Sequence, residues 1–256
     1  MFEMSFWPVF SRAQVRSFHD RGFLVFDPGI KPADIATIIA RTCELYAPPE
    51  PGMKGQGAFS HGTRLTDIGI AAVKRVATAP RVLSGLKQLF GRTALPFQTL
   101  NFPTGTEQMA HSDTIHFNSM PSGYMAGVWV ALEDIDEDNG PLVYYPGSHN
   151  LPEYRMQDFG LRSSYDDYCL YEQAIDRLIK KYDLQPEYGL VRKGQAIIWH
   201  ANLLHGGSAQ RDKARSRHSQ VTHYFFEGCR YYTPMNSTPE APDFRKPDWI
   251  MRHPAS

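Results

Sequence analysis

The residues best suited to chemistry are an imidazole and a carboxylate two positions apart, in His111-Ser112-Asp113. On an extended strand, side chains two apart point to the same side, so this pair can share one ion. A third ligand must come from elsewhere in the chain. His205, in Leu203-Leu204-His205-Gly206-Gly207, is the natural candidate, because it follows an apolar run expected to be a strand. Two imidazoles and one carboxylate on one face of an octahedron leave three positions open. Non-haem iron(II) sites that admit a co-substrate and O2 need that arrangement, whereas a closed structural zinc site wants four protein ligands. By itself His-x-Asp is a weak signal, since it equally describes a surface histidine beside a turn aspartate. The chain has ten histidines, and His116, His149, His200, His218 and His223 compete with His205 for the third position.

Such a site needs a rigid frame. Ser11 is placed to cap a helix through RAQVRSFHDRG that stops at Gly22. The run Phe23 to Phe26 then reads as a short strand. A second helix is expected from Pro32 to Tyr46, with Ile35, Ile38, Ile39 and Cys43 at helical spacing. Residues 48–60, rich in Pro and Gly, read as a loop, and a further helical stretch from Asp67 to Phe90 is interrupted near Pro80. After residue 95 the texture changes to strands: 97–102, 123–132 and 142–145, the last closed by a Pro146-Gly147 turn. One more helix is expected within 166–183, then strands over 191–199 and 219–226. Helices first and many short strands afterwards argue for an α+β fold in which a β-sandwich or barrel carries the site.

Composition excludes several classes. The 256 residues suit one large domain, with no repeat or linker to divide it. Lys+Arg and Asp+Glu are equal at 27 each, so nothing favours nucleic acid or an anionic membrane as partner. No apolar run approaches the roughly 18 residues that span a bilayer. The N-terminus has no basic region followed by an apolar one, so a signal peptide is not expected. Cys43, Cys169 and Cys229 are odd in number and widely spaced, which suits reduced thiols in a cytoplasmic protein.

Several segments together resemble the phytanoyl-CoA dioxygenase family. Besides His111-Ser112-Asp113, they are Trp129-Val130-Ala131-Leu132-Glu133-Asp134 with Asn139-Gly140-Pro141-Leu142 and Pro146-Gly147-Ser148-His149, then Gly194 to Trp199 leading to His205-Gly206-Gly207, then Ser216 to Ser219 entering Val221 to Tyr224. The opening Asp20-Arg21-Gly22-Phe23 is similar too. The resemblance implies a double-stranded β-helix (a cupin-like jelly roll) with flanking helices. It implies one domain over 1–256, helical to about residue 93, with the jelly-roll core over about 94–232. It also implies Fe(II), 2-oxoglutarate and O2, with His111, Asp113 and His205 on the metal. Arg217 then binds the distal carboxylate of 2-oxoglutarate, for which a permanently charged bidentate fork is well suited; Arg215 is the alternative. Trp129 and Gln98 match positions that contact the co-substrate in relatives. Relatives often carry Ser two positions after the distal histidine, where this chain has Gly207 followed by Ser208, so Ser219 is considered as a substitute donor. Halogenases of this scaffold lack the metal carboxylate, and Asp113 is present. The implied activity is hydroxylation of a small metabolite or biosynthetic intermediate. Desaturation, cyclisation, or an inactive binding module built on the same jelly roll are the alternatives.

Asn101, Phe117, Tyr144 and Trp199 are candidate substrate contacts, although aromatics also dominate cores. On a continuing strand His116 would face away from Asp113. His149 reads as structural. The acidic run Glu133 to Asp138 lacks the glycine and closing glutamate of a calcium loop and reads as a solvated turn. The basic run Arg211 to Arg217 reads as a solvated loop beside the site, placed to steer an anionic co-substrate.

Overall fold

The computed structural model describes residues 8–45, 70–238 and 240–250. The loop expected over 48–60 and the start of the helix expected from Asp67 lie outside the described residues.

Ser11 and Gln14 form a reciprocal capping box, in which Gln14 N–H donates to Ser11 Oγ (3.3 Å) and Ser11 N–H to Gln14 Oε1 (2.9 Å). Such a cap contributes about 1 kcal/mol to the helix it opens. That helix, α1 (Arg12–Arg21), ends where Gly22 turns to φ 83° and donates to the Phe18 carbonyl. It is followed by α2 (Pro32–Leu45), α3 (Ala71–Ala77) and α4 (Pro80–Phe90). The break at Pro80 is as expected, because proline starts a helix without losing a hydrogen bond. Another helix, α5 (Tyr168–Lys181), comes later in the chain.

The strands are β1 (Phe23–Phe26), β2 (Ala94–Phe102), β3 (Asn118–Met120), β4 (Met125–Ala131), β5 (Leu142–Tyr144), β6 (Glu187–Tyr188), β7 (Ala196–His200), β8 (His205–Gly207), β9 (Ser219–Phe226), β10 (Arg230–Tyr232) and β11 (Phe244–Arg245). The main sheet is antiparallel in the order β1-β7-β4-β9-β2. Alternation along its strands gives it two apolar faces. Val128, Val130, Ile198 and Phe226 pack on Ile38, Val73 and Leu86 of the helices. The opposite residues, Trp129, Ile197 and Val221, pack towards Leu142 and Tyr144 of β5. There the sheet β6-β5-β8 faces it, with Tyr144 paired to His205. A third sheet runs β11-β10-β3. The fold is therefore α+β, a double-stranded β-helix with helices on one side, and among the described residues its sheets do not close into a barrel.

Element boundaries differ from expectation in several places, as where β2 begins at Ala94 and β4 spans only Met125–Ala131. Residues 191–195 form no strand, because Gly194 at φ 87° turns the chain before β7. The helical N-terminal part supplies an edge strand to the core, since β1 pairs with β7 through Phe23 and Trp199. The core also extends past residue 232. There β11 pairs with β10, and Ile250 N–H donates to the Pro96 carbonyl at 2.8 Å. No helix among the described residues is long and apolar enough to cross a membrane.

His200, at the end of β7, is pushed down to about 4, first by burial and then by His149 and His19. Its folded value lies below the ordinary 6.5, so under that pH the unfolded chain takes up a proton that the folded one refuses. Stability should therefore fall as pH drops from 6.5 towards 4, by up to about 1.4 kcal/mol per unit from this group. Thermal denaturation across that range checks it. His200→Asn keeps an acceptor for the Asn202 N–H that His200 Nδ1 now receives, and should flatten the slope.

Candidate metal centre and its cavity

His111 and His205 sit opposite one another in an isolated antiparallel bridge, each N–H donating to the other's carbonyl at 2.9 Å. Ser112 is extended, at φ −110° and ψ 143°, so His111 and Asp113 fall on one side as their spacing predicts. Asp113 opens a 3-10 turn, Asp113–Ile115, and it is the bridge plus this turn that brings the three side chains together. The turn also corrects the orientation of His116. A 3-10 turn repeats every three residues, so His116 returns to the side of Asp113 and lines the same cavity.

Each imidazole is fixed from behind. His111 Nδ1 lies 3.0 Å from the Met109 carbonyl, and His205 Nδ1 lies 3.0 Å from that of Leu203. A carbonyl only accepts, so Nδ1 carries the proton in both rings and Nε2 presents its lone pair. Asp113 Oδ1 is 3.9 Å from His111 Nε2 and 3.8 Å from His205 Nε2. The three ligating atoms lie within 4.8 Å of one another, and all three residues are buried. Burial pushes the Asp113 carboxyl up. The imidazoles of His205, His223 and His111, with a 2.7 Å hydrogen bond from Trp199 Nε1, outweigh that and hold it below the ordinary value. Burial, then His205, pushes His111 down to about 3. Neutral imidazole and ionised carboxylate are the states that bind a divalent cation. Two nitrogens and one oxygen on one side, with open space on the other, fit iron(II).

The open side is a cavity of about 630 Å³. At one end Arg217 is only 1% exposed. Its Nη1 donates to Ser219 Oγ at 3.0 Å, while its Nε and the nearby Trp129 Nε1 have no protein partner. Burial lowers this guanidinium to about 10, against the opposing pull of Glu133. A buried cation with an unused donor and an adjoining cavity suits an anionic ligand. Arg215 is elsewhere. Its Nη1 donates to both oxygens of Asp136 at 2.8 Å on the surface. The neighbouring basic side chains are likewise matched, Arg211 by Glu137 and Lys213 by Glu107. The runs 133–138 and 211–217 thus pair largely with each other, and the basic loop offers little surplus charge for steering.

Of the remaining sequence candidates, Gln98, Trp129, Phe117 and Trp199 line the cavity. Ser219 stands behind Arg217. Asn101 does not line it, and its Nδ2 donates to Gln220 Oε1 at 3.3 Å within the protein. Tyr144 packs on Phe23, ring centroids 4.2 Å apart, in the intersheet core. Glycine at 207 has a steric cause. A Cβ there would lie 2.8 Å from Thr106 Oγ1 and 2.9 Å from Glu107 N, so Thr106, which lines the cavity, fills the space a serine would need. Ser208 turns away to the Pro141 carbonyl at 2.7 Å.

The family model for phytanoyl-CoA dioxygenase (PhyH) matches residues 18–219. The chain belongs to the phytanoyl-CoA dioxygenase family. It is 27% identical over 264 residues to the peroxisomal phytanoyl-CoA dioxygenase of Rattus norvegicus, covering 91% of this chain and 73% of that one. It is 30% identical over 179 residues to phytanoyl-CoA dioxygenase domain-containing protein 1 of Danio rerio, covering 64% of this chain and 56%, little more than half, of that one. Among solved structures, the α-ketoglutarate-dependent epimerase SnoN of nogalamycin biosynthesis superposes with TM-score 0.66 at 16% identity, covering 93% of this chain and 98% of that chain. EctD from S. alaskensis with 2-oxoglutarate and 5-hydroxyectoine gives 0.64 at 18%, covering 100% and 88%. At such identities the structures bear on the fold. This family member is thus an enzyme of the iron- and 2-oxoglutarate-dependent oxygenases, with His111, Asp113 and His205 arranged as its metal site.

Sequence reading missed other wall residues and placed His223 only as a rival third ligand. His223 faces Asp113 from the cavity wall, Nε2 to Oδ2 at 3.8 Å. Its parity with Val221 on β9 was the available signal. Tyr165 and Tyr168 lie before and at the start of α5, and Arg245 lies on β11 beyond the matched family region; no local pattern marks them as cavity residues.

Proposed function

We propose that this chain, acting as one domain, hydroxylates an unactivated C–H bond of a small metabolite or biosynthetic intermediate while 2-oxoglutarate becomes succinate and CO2. The observation that carries this is the intact carboxylate of Asp113 beside two imidazoles whose open side faces a cavity with a buried guanidinium. When bound, iron and 2-oxoglutarate supply the C–H oxidation with O2. In this reading His111, Asp113 and His205 hold the iron. Arg217 pairs with the distal carboxylate of 2-oxoglutarate, and Ser219 fixes the guanidinium. Thr106 offers the hydroxyl that serine gives in relatives, while Trp129 and Gln98 flank the co-substrate. Phe117, His116, Tyr165, Tyr168 and Arg245 form the substrate end. Their mixed aromatic and polar character supports a small polar substrate. The free thiols of Cys43, Cys169 and Cys229 support a reducing, cytoplasmic setting.

Incubation with Fe(II), 2-oxoglutarate, 18O2 and a metabolite library tests this. Succinate formation with a product that gains one labelled oxygen is the expected result. A product that only loses two hydrogens would show desaturation or cyclisation, and no succinate from folded, iron-loaded protein would indicate a binding module. With a substrate in hand, Arg245→Ala should raise its KM about tenfold while leaving the 2-oxoglutarate KM unchanged, because Arg245 lies over Phe117 (4.9 Å) whereas Arg217 lies against Phe102 and Trp129.

A further inference from the structure

The metal carboxylate is held by an asymmetric pair of contacts. Asp113 Oδ1 faces both ligating imidazole nitrogens, at 3.9 and 3.8 Å. Oδ2 accepts the Trp199 indole N–H at 2.7 Å. His223 Nε2 flanks the same Oδ2 at 3.8 Å. The indole is itself wedged against the third ligand, its ring 4.7 Å from that of His205.

Its seat is made by a glycine. In the main sheet Gly127 pairs with Trp199 on one side and with His223 on the other. A Cβ on Gly127 would lie 2.3 Å from Trp199 Cε2, 2.4 Å from Cζ2 and 2.6 Å from Nε1. Those are distances real Cβ atoms do not reach, and the obstructed atoms belong to a rigid ring buried in the core. Any side chain at 127 must therefore displace the indole, and with it the N–H on Oδ2.

We infer that Trp199, seated in the slot left by Gly127, keeps Asp113 a one-oxygen ligand and thereby preserves three open positions on the metal. A carboxylate has two oxygens and can chelate with both. A charge-assisted hydrogen bond in a buried site holds Oδ2 as an acceptor of N–H. Without it, Oδ2 is free to rotate onto the ion and occupy a position. A chelating co-substrate and O2 together need all three positions, so a two-oxygen Asp113 obstructs them while the ion stays bound. Trp199 and Gly127 are positioning residues, because they act through Asp113. The inference rests on the iron site of the proposed function.

The test uses Co(II) as a spectroscopic stand-in and Fe(II) with 2-oxoglutarate under anaerobic conditions, in wild type, Trp199→Phe, Gly127→Ala and the double variant. Metal affinity is read by competition with a chromophoric chelator, and the chelate by its visible charge-transfer band. Loss of an outer-shell partner lowers metal affinity or activity by about 10–100-fold. Trp199→Phe should accordingly weaken the 2-oxoglutarate chelate by about that factor and alter the Co(II) ligand-field spectrum. Gly127→Ala should reproduce both effects although it removes no donor. The double variant should be no worse than Trp199→Phe, because the displaced group is already gone. A wild-type chelate band with an unchanged band and spectrum in Trp199→Phe would overturn the inference and leave the iron site standing. Additive losses in the double variant would overturn the role of Gly127. A wild type that forms no chelate would remove both the iron site and this inference.

Discussion

Asp113→Ala should yield a folded protein that no longer turns over 2-oxoglutarate. Asp113 supplies the single negative charge in a cluster of imidazoles, and Oδ1 is the atom that faces both nitrogen ligands. Losing an outer partner of a ligand already costs about 10–100-fold in metal affinity. Losing the ligand itself should exceed the top of that range, so iron should be absent at micromolar concentrations. The fold should survive. The substitution strands the Trp199 N–H, at about 1–3 kcal/mol, a loss that the roughly 5–15 kcal/mol stability of an ordinary domain absorbs. Metal analysis after desalting and succinate formation together check the expectation. Full coupled turnover in the variant would show that the metal site has been misassigned.

The second large effect is a trade between stability and binding at Arg217. The side chain is buried, its Nε is without a protein partner, and burial depresses its proton affinity. An uncompensated buried cation costs stability, and a hydrophobic replacement of similar volume is often neutral or stabilising. Arg217→Met should therefore keep or raise the thermal midpoint of the ligand-free protein. It should also weaken 2-oxoglutarate by about 30- to 4,000-fold, the equivalent of about 2–5 kcal/mol for truncating one side of a buried charge pair. In the wild type, 2-oxoglutarate at a hundred times its Kd should add about 2.7 kcal/mol of stability, and at the same concentration in Arg217→Met that increment should fall to about 0.9 kcal/mol or less. A variant that is destabilised yet still stabilised by 2-oxoglutarate would assign Arg217 to the core and the carboxylate to another group. Arg217→Lys should fall between, because an ammonium keeps the charge and loses the fork.

The outline of the fold is legible where local physics is strong. Ser11 and Gly22 delimit α1 because a capping box and a left-handed terminus are written in a few adjacent residues. The strands 23–26 and 219–226 are legible as β-forming runs with clear ends. The strand expected from residue 191 failed because Gly194 imposes a turn that apolar content does not reveal. At the site, residue identity was more legible than local geometry. His111, Asp113 and His205 are legible by type and order, and strand parity holds across the extended Ser112 but fails from Asp113 onward. A turn governs there, and it alone explains His116. Parity is the rule on β2. Gln98 and Asn101 are three apart and so face opposite ways, which puts Gln98 in the cavity and Asn101 against Gln220. Arg215 could not be set aside from sequence, because its partner Asp136 lies far away in the chain. The pairing of Gly127 with Trp199 across β4 and β7 is equally invisible until the register is known.

The central claim is that this chain builds an iron site that takes 2-oxoglutarate as a chelate. Anaerobic titration of the metal-free protein with Fe(II) and 2-oxoglutarate tests it most directly. The expected result is a weak visible charge-transfer band in the wild type that is lost in His111→Ala and Arg217→Ala, both still folded by circular dichroism. A silent titration of folded wild-type protein, or a band that persists in both variants, would contradict the account.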